Sequence, residues 1–136
     1  MSTPARQIPQ RGDIFWANLP SLESVGSEQR GTRPVLVMSE VMVVSVDQLN
    51  QRIPVCVIVP LSAQVQKENR VNRILIPENQ KISEPGTRGC PGDSLALTEQ
   101  IRCISVDRLD GQRVGRAKPG AIAAVETGIK YVLRLA

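Results

Sequence analysis

Residues 26–38 read GSEQRGTRPVLVM. A polar loop carrying Glu28 closes on Arg33-Pro34 and passes at once into the apolar run Val35-Leu36-Val37-Met38. The unbroken apolar run predicts a buried strand over 35–39. An arginine at the mouth of such a strand is well placed to hold a phosphate. Its planar guanidinium gives forked hydrogen bonds, and its charge cannot be titrated away. On this segment alone the alternative is an exposed arginine in a hairpin loop.

Outward from this stretch, short apolar segments alternate with breakers. Asp13 to Asn18 reads as a strand between Gly12 and Leu19-Pro20, and 19–33 as a long loop. Val55 to Val59 is a second buried strand stopped by Pro60, with Leu61-Ser62-Ala63-Gln64 as its polar exit. Segment 40–51 mixes strand-favouring valines with a helix-compatible turn and reads as an irregular insertion. Val71 to Ile76 predicts another strand ended by Pro77. The prolines and glycines of 77–93 predict a loop, and 94–105 a strand or strand pair. Segment 108–115 is a polar turn region with room for a short ribbon. Pro119 suits a first helical turn. Ile122, Val125, Ile129, Val132, Leu133 and Ala136 then recur at three- and four-residue steps, the mark of one apolar helix face, with Gly128 a slight weakness. Five or six short strands and a closing helix predict an α+β domain, a small barrel-like and mostly antiparallel sheet with a C-terminal helix. Residues 1–10 read as a disordered lead-in and 11–136 as a single domain.

Composition narrows the function classes. The 136 residues suffice for one core. The longest apolar runs are too short to cross a bilayer, and MSTPARQIPQRG lacks a signal-peptide core, so the expectation is a cytoplasmic protein. Lys and Arg outnumber Asp and Glu by 17 to 13, a net charge of +4 that is compatible with a nucleic-acid partner. Only Phe15, Trp16 and Tyr131 are aromatic, too few for a base-stacking platform, so any RNA must be held mainly by phosphate and base-edge contacts. There is no histidine, which removes the commonest general acid and base. Cys56, Cys90 and Cys103 have no C-x-x-C spacing, so no zinc site is expected. Cys90, in a Gly/Pro loop, is expected to be the most exposed thiol.

Three polar clusters end otherwise buried strands: Glu28, Gln29 and Arg33; Ser62, Ala63 and Gln64; and Thr98 to Arg102. Reacting groups are often carried at such ends, and each cluster alone has the alternative of a solvated turn. Taken together with Arg11-Gly12-Asp13-Ile14, Pro60-Leu61-Ser62-Ala63-Gln64 and Asp93-Ser94, their order and approximate spacing resemble the MazF/PemK family of toxin ribonucleases from about Arg11 to the C-terminal helix. The first ten residues, the 40–51 insertion and the 77–92 loop lie outside the match or lengthen it. The resemblance implies an SH3-like, plasmid-toxin type of sheet and a homodimer. It implies a metal-independent endoribonuclease that needs no cofactor and cuts single-stranded RNA at short sequences. It also implies a cognate antitoxin whose acidic, flexible tail occupies the RNA groove. The family's cutting arginine and threonine carry over to Arg33 and Ser62, its loop glutamate to Glu28, and the glutamine of its Glu-Gln pair to Gln100. Serine at position 62 keeps the hydroxyl but loses the methyl, and so rotates more freely than threonine.

RNA can be cut without a metal by attack of its own 2′-hydroxyl on the adjacent phosphorus. That needs a base, donors for the charge building on the phosphate, and a proton source for the departing 5′-oxygen. Arg33 fits the phosphate clamp and Ser62 a second donor. Glu28 is the carboxylate candidate for the base, or else the ion-pair partner of Arg33. Gln29, Gln64 and Gln100 could read base edges or cap backbone. Lys67, Arg70, Arg73, Arg88 and Arg102 could line a groove or form a solvated face. Two rivals share the fold: a non-enzymatic toxin that wedges into a topoisomerase, and an RNA-binding module without cleavage.

Overall fold

A computed structural model describes residues 7–19, 31–46, 51–65 and 72–135. Glu28, Gln29, Lys67 and Arg70 lie outside the described residues. The chain runs β1 (Asp13–Leu19), β2 (Gly31–Val37), β3 (Met42–Val46), β4 (Gln51–Ser62), β5 (Arg73–Ile76), β6 (Lys81–Ser83), β7 (Ser94–Leu97), β8 (Arg102–Ser105), β9 (Gly115–Ala117) and α1 (Pro119–Leu133). All pairings are antiparallel, in the order β5-β7-β4-β2-β1-β9-β6, with β3 and β8 also on β4. The path has two ends, so the mostly antiparallel, barrel-like sheet with its C-terminal helix does not close on itself.

Burial on both faces explains why the central strands read as continuous apolar runs. Along β1, Ile14 joins one core and Phe15 and Ala17 the other. Along β2, Leu36 goes one way while Val35 and Val37 go the other. Along β4, Val59 and Leu61 sit with the first core, Cys56 and Ile58 with the second. The first core is covered by Ala121 and Val125 of α1, with Ile122 and Ile129 packed at its margin. Of the expected helix face, Leu133 is exposed and Ala136 lies outside the described residues, while Ala121 and Gly128 are buried instead.

β4 is the hub. Its residues 51–55 pair β3, 55–58 pair β8, 58–60 pair β2, and 61–62 pair β7. Pro60 was expected to end the strand. It stands instead where the partner changes from β2 to β7, a place where a missing N–H costs little ladder. Segment 40–51, expected to be irregular, holds β3, an edge strand whose Met42, Val43 and Val44 are all exposed. The second strand starts at Gly31 rather than Val35, and the expected 77–93 loop contains a 3-10 turn over Glu78–Gln80 and then β6.

Buried Asp13 organises the start of the sheet. Its carboxylate accepts from the Gln10 N–H at 3.0 Å and lies 3.2 Å from Arg116 Nε and 3.7 Å from Arg113 Nη1. Residues 7–10, assigned above to the lead-in, are hydrogen-bonded as well: Arg113 N–H donates to Gln7 Oε1 at 2.6 Å. Residues 1–6 lie outside the described residues. Arg11 pairs with Glu126 on α1. Hydrogen bonds from Lys130 and Arg11 hold the Glu126 carboxyl below its usual range.

Candidate functional site

An open cleft of about 400 Å³ lies where β1, β2, β4 and the segment before β7 converge. Among the described residues, Trp16, Thr32, Arg33, Pro34, Leu61, Ala63, Arg88, Cys90, Pro91 and Ser94 line it, two arginines and no carboxylate. The two guanidinium groups give this described lining a positive charge of the kind that draws anions.

Arg33 reaches the cleft from the exposed start of β2. Ser62 ends β4 at the margin of the cleft: its neighbours Leu61 and Ala63 line it, and Ser62 itself does not. Arg33 stands two residues before Val35, and Ser62 two residues after Pro60, one of the three couples through which β2 and β4 pair. The Ser62 hydroxyl oxygen accepts from the Gln64 N–H at 3.1 Å. That bond leaves the hydroxyl proton available to donate, and it restricts the rotation that serine otherwise enjoys over threonine.

Trp16 pairs with Pro34 across β1 and β2 and forms the wall next to Arg33. Its indole N–H donates to the Gly89 carbonyl at 3.2 Å, and Arg88 lies over its ring with Cζ 3.5 Å from the centroid. Gly89 makes this turn at a φ of +65°, which L side chains rarely adopt. Behind this wall Lys81 Nζ donates to Ser94 Oγ at 2.8 Å and lies 3.6 Å from Cys90 Sγ. Cys90 was expected to be the exposed thiol. It is buried, packed with Lys81 and Ser94, and Cys103 is the exposed cysteine.

The remaining sequence candidates fall elsewhere. Gln64 is exposed just beyond Ala63. Gln100 closes the 3-10 turn Thr98–Gln100, and Arg102 opens β8 opposite Ile58; neither lines the cleft. That turn is fastened by Arg73 and Asn72, which bond Glu99 at 2.8 Å and 2.9 Å, and by Thr98 Oγ1 donating to the Asn72 carbonyl. Arg73 is thus committed to an ion pair rather than to the groove. Trp16 and Ser94 were given no role from sequence. The alternation of β1 puts Trp16 on the face of Ile14, but nothing local announces the loop that meets it 73 residues later.

The family of PemK-like, MazF-like toxins of type II toxin-antitoxin systems matches residues 10–133. Endoribonuclease EndoA of Bacillus subtilis (strain 168) is 36% identical over 102 residues, 75% of each chain. The fold matches the crystal structure of MazF from Deinococcus radiodurans with a TM-score of 0.58 at 18% identity, covering 94% of this chain and 98% of that one. It also matches a mycobacterial endoribonuclease in complex with its cognate antitoxin, with a TM-score of 0.57 at 19% identity, covering 94% and 97%. With the family match spanning all of the sheet and the helix, the chain belongs to the PemK-like, MazF-like toxins of type II toxin-antitoxin systems.

Proposed function

We propose that this toxin endoribonuclease cuts single-stranded RNA in the cleft between β2 and β4, without a metal or cofactor, by attack of the 2′-hydroxyl on the adjacent phosphorus. The observation that carries the proposal is that Arg33 and both neighbours of Ser62 line one cleft with two arginines and no carboxylate among its described lining residues. Arg33 grips the scissile phosphate with forked hydrogen bonds and stabilises the charge that grows on it. Ser62 donates a second hydrogen bond to the same phosphate, its oxygen steadied by the Gln64 N–H. Glu28 takes the proton from the 2′-hydroxyl. A guanidinium holds its proton too firmly to give it up, so the departing 5′-oxygen takes its proton from solvent water in the open cleft. Gln29, Gln64, Gln100 and Arg102 contact the RNA beyond the cut.

The named relatives are endoribonucleases, so a topoisomerase-binding toxin and an RNA-binding module without cleavage are not favoured. We further propose a cytoplasmic homodimer, neutralised by a cognate antitoxin whose acidic, flexible tail lies along this cationic cleft. Among the described residues no helix is long and apolar enough to cross a membrane.

The test is incubation of the purified protein with a long single-stranded RNA in EDTA. Discrete fragments ending in 2′,3′-cyclic phosphate are expected from the wild type, and none from a folded Arg33→Ala variant. Intact RNA with the wild type, or unimpaired cutting by Arg33→Ala, overturns the proposal.

A further inference from the structure

We propose that Arg88 is a second phosphate-gripping residue of the cleft, engaging an RNA phosphate next to the one that is cut, and that Trp16 is its positioning residue. The proposal rests on the ribonuclease function above and adds a substrate contact from the loop between β6 and β7.

The arginines of the fold divide by what they face. Arg11 pairs with Glu126, Arg73 with Glu99, Arg113 with Asp13 and Glu84, and Arg116 with Asp13. Their charges are matched within the protein. Arg88 differs: among the described residues it meets the ring of Trp16, and it is exposed and lines the cleft. Stacking uses the flat face of a guanidinium and leaves the N–H donors around its edge. A cation held by a ring therefore keeps both its charge and its forked donors for an incoming anion.

The mounting is rigid. Trp16 is fixed at both ends, by its strand and by its indole N–H on the Gly89 carbonyl. Thr87 accepts from the Gly89 N–H at 3.2 Å and donates to the Glu84 carbonyl at 2.8 Å, tying down the backbone on either side of Arg88. Holding the side chain in place before RNA arrives reduces the ordering cost of binding. Arg33 and Arg88 approach from different elements, the start of β2 and the loop over β1. A strand with one phosphate per nucleotide offers each its own anion.

The experiment compares wild type, Arg88→Ala, Arg88→Lys and Trp16→Leu on a single-site RNA, with thermal melts confirming folding. Arg88→Ala is expected to raise KM about tenfold or more with kcat within about threefold, as for a lost binding contact. It should also reduce the slope of log affinity against log salt by about 0.7, the value for one phosphate on a single strand. Lysine should restore the slope but only part of the affinity, since it lacks the fork. Trp16→Leu should resemble Arg88→Ala, and the double variant should be no worse than either. A scan placing one neutral methylphosphonate at a time identifies the contact. At one flanking position it should weaken the wild type about as much as Arg88→Ala does, and leave Arg88→Ala unaffected. Trp16 is the chain's single tryptophan, so RNA binding should change its emission in the wild type and less in Arg88→Ala.

Wild-type KM and salt slope in Arg88→Ala overturn the proposal, as does a methylphosphonate scan that is identical in the two proteins. Binding to an uncleavable 2′-deoxy version of the RNA is measured in parallel. If the wild type binds but does not cut, the ribonuclease function fails, while the salt slopes still decide the Arg88 contact.

Discussion

The Ser62 hydroxyl oxygen accepts the backbone N–H of Gln64 at 3.1 Å, so the residue that ends β4 also pins the chain leaving it. Two roles then rest on one oxygen, and substitution separates them. Ser62→Ala removes the donor to the phosphate and the turn's acceptor together. Loss of one aimed donor costs about 10²–10³ in kcat, whereas loss of one exposed local hydrogen bond costs only about 0.5–1.5 kcal/mol of stability. Ser62→Thr keeps both bonds and removes rotational freedom. Its kcat should equal or exceed that of the wild type in the RNA-cleavage assay. A Ser62→Ala enzyme that cuts at the wild-type rate would reduce the residue to a turn cap.

How legible the fold was depended on how far each signal travels along the chain. β1, β4, β5 and α1 announce themselves locally, through apolar runs or a helical period such as Ile122, Val125 and Ile129. β3 did not, because Met42, Val43 and Val44 are exposed on both faces and leave no alternation to read. β6 and β9 have three residues each and exist through pairing, β6 on β9 and β9 on both β6 and β1. At the site, Arg33 was readable as an arginine at a strand mouth. Arg88 was readable as a groove candidate, but its seat on Trp16 and the wall completed by Ser94 were not, since these contacts span the chain, as Trp16 to Gly89 does. The burial of Cys90 was likewise hidden: its loop composition suggests exposure, and only packing against Lys81 and Ser94 removes it from water.

Asp13 is 2% exposed and faces two arginines of very different burial, 20% exposed for Arg113 and 50% for Arg116. Removing one partner of a buried pair strands the other charge and costs about 3–5 kcal/mol. Because Arg116 can turn to water and Arg113 keeps Glu84, Asp13→Ala should fall near the lower end of that range, about 3 kcal/mol. Urea unfolding should show this as a lower midpoint with an unchanged slope. A loss below about 0.5 kcal/mol, the level of an exposed pair, would mean that the network does not hold the sheet's start.

Alkaline stability should depend on Cys56. Burial, with the neighbouring Cys103 adding to it, pushes its thiol up to about 11 from an ordinary 9.0. The unfolded chain therefore releases this proton first as pH rises, and the folded state loses ground between the two values. The contribution is fully present below pH 9 and is lost towards pH 11, on the order of 3 kcal/mol in all at the usual value of about 1.36 kcal/mol per unit. In Cys56→Ala, unfolding free energies measured in reductant at pH 8.5, 9.5 and 10.5 should fall less steeply than in the wild type. Parallel slopes would show that the thiol does not titrate differently in the two states.

Gly115 sets the distance between β9 and β6. A Cβ there would stand 2.6 Å from the Ile82 carbonyl oxygen and 3.6 Å from Ser83 Cα, so backbone itself must move. Gly115→Ala gains chain stiffness, worth about 0.4–1 kcal/mol when the site is compatible. It incurs overpacking of about 1–3 kcal/mol when the site is not. With rigid backbone as the obstacle, the second effect should win, and the variant should be less stable by about 1–2 kcal/mol. The disturbance should also reach the cleft, because β6 leads through Glu84 and Thr87 to the Arg88 loop. KM for RNA should therefore rise, with kcat little changed. Hydrogen exchange at the β6–β9 amides should quicken while that of the β2–β4 ladder stays slow. An unchanged melting temperature would show that β6 moves aside freely and does not brace the loop.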